Sequence, residues 1–361
     1  MTRDSRWSAN EGETARSRQP PVVIVGTDDG SVHAIAGAGG DGLWAFTDAT
    51  GVVSSAAVEN GVLFVGDADG SVYAIDAETG ESVWTFDDSA AAITSPVIGD
   101  GVLFVGDADG SVYAIDVDTG ESVWTFNQPT AAVSSPVVDD GSVFVGSDDR
   151  RVYAIDAETG ESVWTFDRPV GPVSSAPTVA NGTVFAGSDD RRVYAIDAET
   201  GESVSTLESP TGPVFASPTV DDGRLYVGAW EGLHAVTVDT MDEEWTFDLP
   251  ASGIDASVTV LDGTIYLSAL DGSVRAVDAR SGTETWEFDD PTEWMTESPT
   301  VSAGTVYAGS NDGVVYAIDA ESGDLVWEFE ITTAGNVSSA AVTSLQESGR
   351  QPGTNREGGT E

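Results

Sequence analysis

The sequence contains no cysteine and no lysine; all 14 basic residues are arginines, set against 62 aspartates and glutamates. The lack of cysteine excludes a disulfide framework, a thiol nucleophile and thiolate metal ligands, so the redox compartment leaves no mark on the chain. Histidine is nearly absent too, with only His33 and His234, which leaves little for imidazole-based metal or acid–base chemistry. No stretch approaches the roughly 18 apolar residues of a membrane-spanning helix. Residues 1–20 are polar, carry Arg3, Arg6, Arg16 and Arg18, and hold no apolar core. They do not read as a secretory leader, and Arg16-Ser17-Arg18 is not a twin-arginine pair. The expected location is the cytoplasm, or outside the cell if the true start lies upstream.

What is abundant is negative charge. The formal net charge is −48, spread through the whole chain rather than held in a tail. That is far more than the roughly 2–8 charges that keep a small domain soluble. Self-repulsion of this size destabilises a compact fold at low salt, and it is tolerated where molar salt shortens the screening length to about 3 Å. The composition therefore points to a halophilic protein. It argues against nucleic acid and anionic membranes as partners, because both require basic surface.

The chain is organised by repetition. Val152 to Phe166 reads Val-Tyr-Ala-Ile-Asp-Ala-Glu-Thr-Gly-Glu-Ser-Val-Trp-Thr-Phe, with near-copies at Val72–Phe86, Val112–Phe126 and Val193–Leu207. Weaker copies surround His33, His234, Arg275 and Tyr316. Trp44, Trp84, Trp124 and Trp164 follow at 40-residue steps; Ser205 takes the next slot, then Trp245, Trp286 and Trp327. Eight units of this period signal a repeat architecture, and a closed ring of them is one domain despite its 361 residues.

One unit parses into four strands: Ser134–Val138, Ser142–Gly146, Val152–Asp156 and Ser162–Phe166. Each run is short and β-branched or alternating, and each is bounded by Asp and Gly turns. The first unit lacks its opening strand. The last is followed by Val-Ser-Ser-Ala-Ala-Val at 337–342, a copy of the segment at 53–58 that opens the second unit. The C-terminal strand is thus expected to complete the N-terminal blade, leaving no open sheet edge. The expected fold is all-β: one eight-bladed β-propeller of four-stranded antiparallel blades over residues 20–344. Residues 1–19 and 345–361 read as disordered tails.

Tyr153 to Trp164 resembles the pyrroloquinoline-quinone-type (PQQ-like) propeller repeat with its tryptophan-docking motif, and the likeness spans about residues 22–342. The overall form is similar to BamB-like eight-bladed propellers; the role of those proteins, which needs an outer membrane and a lipoprotein signal, is not carried over. The resemblance implies that Trp44, Trp84, Trp124, Trp164, Trp245, Trp286 and Trp327 dock between adjacent blades. Ser205 departs from the pattern, which implies a weaker contact after the fifth blade.

The family also implies an alternative, a PQQ-dependent oxidoreductase with Ca²⁺. Such enzymes hold the quinone against a vicinal disulfide, which this chain cannot form. No cofactor is therefore expected, PQQ and Ca²⁺ belonging only to the alternative. Asp67-Ala68-Asp69-Gly70 and Asp107-Ala108-Asp109-Gly110 lead straight into strands and read as hairpin turns, not as twelve-residue calcium loops. His33, His234 and Arg275 fill the slot held elsewhere by tyrosine and read as polar variants of it.

Candidate contact residues are those that break the repeat. Arg150, Arg151, Arg191 and Arg192 form the densest basic spot, in equivalent hairpins of the fourth and fifth units. Phe215, Asp255, Trp294, Met295, Thr296 and Glu297 replace small residues where the inner strands begin. The resulting expectation is a monomeric, non-catalytic binding or scaffold propeller that contacts a protein or small ligand at one face.

Overall fold

In a computed structural model of the protein, residues 21–208, 210, 212–249, 253–295, 297–331 and 337–343 are described, the last segment by its backbone alone beyond Val337. They form strands and turns with no helix, arranged as eight four-stranded antiparallel sheets. The expected tails, together with Thr296, lie outside the described residues.

The fourth blade shows the local logic. Its strands are Val137–Asp139, Ser142–Ser147, Arg151–Asp156 and Ser162–Phe166. The two middle strands are buried almost throughout, as their continuous apolar runs require, while the outer strand alternates. The inner strand is shorter than the sequence suggests. Val133 makes only an isolated bridge to Ser147 and regular pairing starts at Val137, as Val53 and Ala57 do in the second blade. On the outer strand a bulge at Val163 turns Trp164 and Phe166 inward and leaves Val163 exposed.

The ring closes as the sequence suggests. Val337–Thr343 pairs antiparallel with Val22–Thr27 and supplies the inner strand of the first blade. Inner strands of successive blades lie side by side around the axis and are cross-linked: the Ser95 N–H donates to Ser135 Oγ (3.2 Å), the Ala176 N–H to Ser217 Oγ (3.0 Å) and Thr219 Oγ1 to the Val258 carbonyl (3.0 Å).

The propeller has two distinct faces. One, the linker face, carries the hairpins between second and third strands together with the links between blades. These are tied to each other, for instance by the Asp148 N–H donating to the Ala132 carbonyl (2.9 Å). The opposite turn face carries the remaining two turns of each blade, joined by bonds such as the Ala157 N–H to the Gly141 carbonyl (2.9 Å). The core is a series of clusters that each bridge two neighbouring blades; one unites Phe144, Val152, Trp164 and Phe166 of the fourth blade with Val184, Tyr194 and Ile196 of the fifth.

Candidate functional site

The repeated tryptophans sit in the seams. Trp44, Trp84, Trp124, Trp164, Trp286 and Trp327 each donate the indole N–H to a carbonyl of the following blade, at Ala77, Val117, Ala157, Ala198, Ala320 and Gly37 respectively, over 2.9–3.1 Å. Each ring also lies on the turn glycine of that next blade: a Cβ added at Gly160 would come within 2.7 Å of Trp124, and one at Gly80 within 2.7 Å of Trp44. The glycine therefore leaves room for the indole as well as supplying the left-handed backbone of the turn (φ 70° at Gly160). Trp245 lies on Gly282 in the same way, but among the described residues its N–H has no acceptor; the Ala279 carbonyl accepts the Tyr226 hydroxyl (3.3 Å).

The fifth seam is built differently. Ser205 pairs with Ala195 as Trp164 does with Ala154. On the facing turn Met241 stands in place of glycine, at φ 57°. It is 7 % exposed and packs with Phe185 and Leu207 of the fifth blade. The missing indole therefore does not leave the seam empty, because Met241 fills it.

The tyrosine slot on the third strand is a second structural device. Tyr73, Tyr113, Tyr153, Tyr194 and Tyr316 donate their hydroxyls to the hairpin aspartates Asp67, Asp107, Asp149, Asp190 and Asp312 over 2.7–3.1 Å. Burial and the adjacent carboxylate push Tyr153 and Tyr194 up to about 12. His33, His234 and Arg275 are scattered among blades 1, 6 and 7. Burial lowers His33, His234 Nδ1 meets Glu243 at 2.9 Å, and Arg275 is ion-paired to Asp271, Glu284 and Glu287.

The acidic hairpins are occupied by their own bonds. Asp67 accepts the Asp69 and Ser71 N–H groups on one oxygen and the Tyr73 hydroxyl on the other. Among the described residues no group of three or more His, Cys, Asp or Glu side chains is placed to hold a metal ion.

The four arginines fall into two kinds. Arg151 pairs with Asp149 (3.4 Å), and Arg192 with Glu208 (3.1 Å) and Asp190 (4.0 Å). Arg150 and Arg191 are exposed at the hairpin tips, at φ 72° and 71°, where equivalent hairpins carry Gly70, Gly110 and Gly313.

Blades 6 to 8 hold the other departures, on the same linker face. Phe215 (39 % exposed) and Asp255 occupy an extra residue at the head of the inner strand, equivalent to Ser174. Trp294, 62 % exposed, takes the link position of Ala132 and Gly253; its carbonyl accepts the Asn311 N–H as theirs accept Asp148 and Leu270. Glu297 lies deeper, and burial, reinforced by the Asp255 charge, pushes it up to about 8. Asp255 is itself raised by desolvation, although it keeps contact with solvent. Met295 does not belong to this surface: it is fully buried in the core between blades 7 and 8, because it holds the inward position of Val133 and Val173.

One surface residue is not evident from the period. Trp230, 58 % exposed, tips a sixth-blade hairpin one residue shorter than its neighbours, and its ring rests over Gly253, where an added Cβ would sit 3.3 Å away. The available clue is a tryptophan outside the 40-residue register.

Eight four-stranded blades with indoles docked in the seams define a PQQ-type propeller. A family model described as "Outer membrane protein assembly factor BamB" matches residues 28–137, 129–213 and 204–351, and the chain belongs to that family. Among solved structures, the computationally designed Ika8 protein matches at 20 % identity with a TM-score of 0.73, covering 80 % of this chain and 89 % of that one. BamB from Moraxella catarrhalis matches at 22 % identity with a TM-score of 0.68, covering 79 % and 89 %. At such identities the likeness is one of fold. No curated protein matches.

Proposed function

We propose that this protein is a non-catalytic scaffold propeller of a halophile that holds a protein partner on its linker face. The carrying observation is where the repeat breaks: Phe215, Trp230 and Trp294 are exposed on that face, whereas the turn face repeats with little variation. Exposed aromatics are the side chains that anchor interfaces, and a partner would bury them. Membership in a family described by an assembly factor supports the same reading. The net charge of −48 and the absence of lysine support a working environment of molar salt.

The experiment is affinity capture from a lysate of the source cells in molar KCl, followed by identification of the retained protein. The reading expects one partner that is lost when Phe215, Trp230 and Trp294 are changed together to Ser and kept when turn-face Leu261 is changed to Ser. Retention by the triple variant, or equal loss with Leu261→Ser, would overturn it.

A further inference from the structure

The arginines of the chain are concentrated rather than scattered. Arg150, Arg151, Arg168, Arg191 and Arg192 share the linker face of the fourth and fifth blades; elsewhere among the described residues only Arg224, Arg275 and Arg280 occur. Arg150, Arg168 and Arg191 are exposed. Asp149 and Asp190, next to the hairpin tips, are only 5 % exposed and accept the Tyr153 and Tyr194 hydroxyls. Each of these hairpins balances two aspartates with two arginines, whereas Asp67-Ala68-Asp69-Gly70 and Asp107-Ala108-Asp109-Gly110 carry aspartates alone. A body of net charge −48 is therefore locally neutral in these two hairpins and presents guanidiniums to solvent there. The link that carries Val170 is bonded to both hairpins. The Val170 N–H donates to Asp190 Oδ2 (2.9 Å), and Ser174 Oγ donates to Asp148 Oδ1 (3.0 Å). At the equivalent place Thr50, Thr130 and Thr292 make the same backbone bond and also donate a hydroxyl to the hairpin aspartate. Val170 lacks that hydroxyl and is 67 % exposed, the highest value for a large apolar side chain among the described residues. Neither departure helps the fold: a threonine at 170 would be bonded, and a glycine at 150 or 191 would relieve a left-handed backbone.

We propose that Arg150, Val170 and Arg191 form a docking site for an acidic segment of the protein partner, one that sets an aliphatic side chain between carboxylates. This rests on the linker-face reading above and names the chemistry of the partner. Charge complementarity selects the class. Molar salt screens charges beyond about 3 Å, so only carboxylates in direct contact are attracted. A guanidinium suits that contact, because its planar fork bonds both carboxylate oxygens at once. The carboxylate-rich hairpins of the other blades repel the same segment, which restricts it to this place. Val170 supplies the apolar contact that a partner would bury. The two guanidiniums stand on separate hairpins, which fits carboxylates spaced along a peptide better than one phosphate.

The probe is a fluorescein-labelled, amidated Glu-Asp-Leu-Asp-Glu peptide, titrated in molar KCl and followed by fluorescence anisotropy. Arg150→Gly combined with Arg191→Gly, and Val170→Thr alone, both restore residues that other blades use, so they keep the fold; near-UV CD checks this. The expected result is saturable binding that the arginine pair variant weakens about tenfold or more, the worth of two charge-assisted contacts. Val170→Thr should weaken it about two- to fivefold, through lost apolar contact. The neutral Gln-Asn-Leu-Asn-Gln peptide should not bind. No saturable binding, indifference to either variant, or equal binding of the neutral peptide would overturn the proposal. Tighter binding of a phosphoserine peptide would overturn it too, by assigning the site to phosphate. The wider reading fails separately. The variant with Phe215, Trp230 and Trp294 changed to Ser should bind the peptide as the wild type does. A cellular partner that this variant retains refutes the aromatic surface, whereas a partner that it loses and the arginine pair variant retains refutes only the acidic docking site.

Discussion

Met241 reaches from the sixth blade into the core of the fifth at the place where Ser205 lacks an indole. Every other tryptophan slot is matched by glycine on the facing turn, and only here have both partners changed. The two exchanges are complementary in volume. Ser205→Trp alone should overpack the seam at about 1–3 kcal/mol. Met241→Gly alone should leave a cavity worth about 2–4 kcal/mol, partly offset by relief of the left-handed backbone. The double variant restores the pair used by the other seams and should recover most of the loss, with a coupling of about 1–3 kcal/mol. Urea unfolding of all four proteins in one salt checks this; additive effects would mean that the two sites are independent.

Trp124 and Trp245 look alike in sequence but differ in bonding. The Trp124 indole donates to the Ala157 carbonyl, whereas among the described residues the Trp245 indole N–H has no acceptor. Trp124→Phe strands a carbonyl and should cost about 1–2 kcal/mol beyond the lost contact area. Trp245→Phe removes a buried donor that has no acceptor among the described residues, so it should cost about 1 kcal/mol less than the same change at Trp124. Thermal unfolding of the two variants side by side gives the comparison, and equal losses would show that the indole hydrogen bond contributes nothing.

These cases show what a repeated sequence discloses. The 40-residue period defines the blades, and the copy of 53–58 at 337–342 reveals the closure, because both are patterns along the chain. The glycine under each indole is harder to see. In near-identical copies, the glycine four residues before a tryptophan cannot be told from the one 36 residues after it, and it is the later one that makes the contact. The sixth blade conceals its changes for a different reason. The residue added at Phe215 is offset by the one missing beside Trp230, so Trp245 still follows Ser205 by 40. The burial of Met295 depends on which side of the inner strand it occupies, and the neighbouring extra residue shifts that register.

Arg150 and Arg191 hold a backbone conformation that costs a non-glycine residue about 1–2 kcal/mol, at positions where the first, second, third, seventh and eighth blades have glycine. Replacing each by Gly should stabilise the fold by about 0.5–1 kcal/mol, the gain being reduced by glycine's greater entropy when unfolded. Replacing each by Ala keeps the strained backbone and should be close to neutral. Midpoints of chemical denaturation distinguish the three residues at each position. A loss with Gly would mean that the guanidiniums contribute more to stability than the backbone costs.

Glu297 should impose a pH dependence opposite to that of a salt-bridged carboxylate. Burial and the Asp255 charge raise it to about 8 from an ordinary value of 4.5, so between these two pH values the folded protein holds a proton that the unfolded chain has released. Stability therefore falls as pH rises through this window, by up to about 1.4 kcal/mol per unit, and levels off above the folded-state value. The exposed aspartates Asp116, Asp156, Asp197 and Asp319 act in the other sense: hydrogen bonds from Thr119, Thr159, Thr200 and Ser322 lower them, so their contribution is lost only in acid. The difference between the wild type and Glu297→Gln isolates the raised group. The variant should match the wild type near pH 5 and exceed it in stability at pH 8, with the gap widening steadily between. Stability curves that stay parallel from pH 5 to pH 8 would show that Glu297 titrates as a solvated carboxylate, and that the inner end of the seventh and eighth blades is open to water.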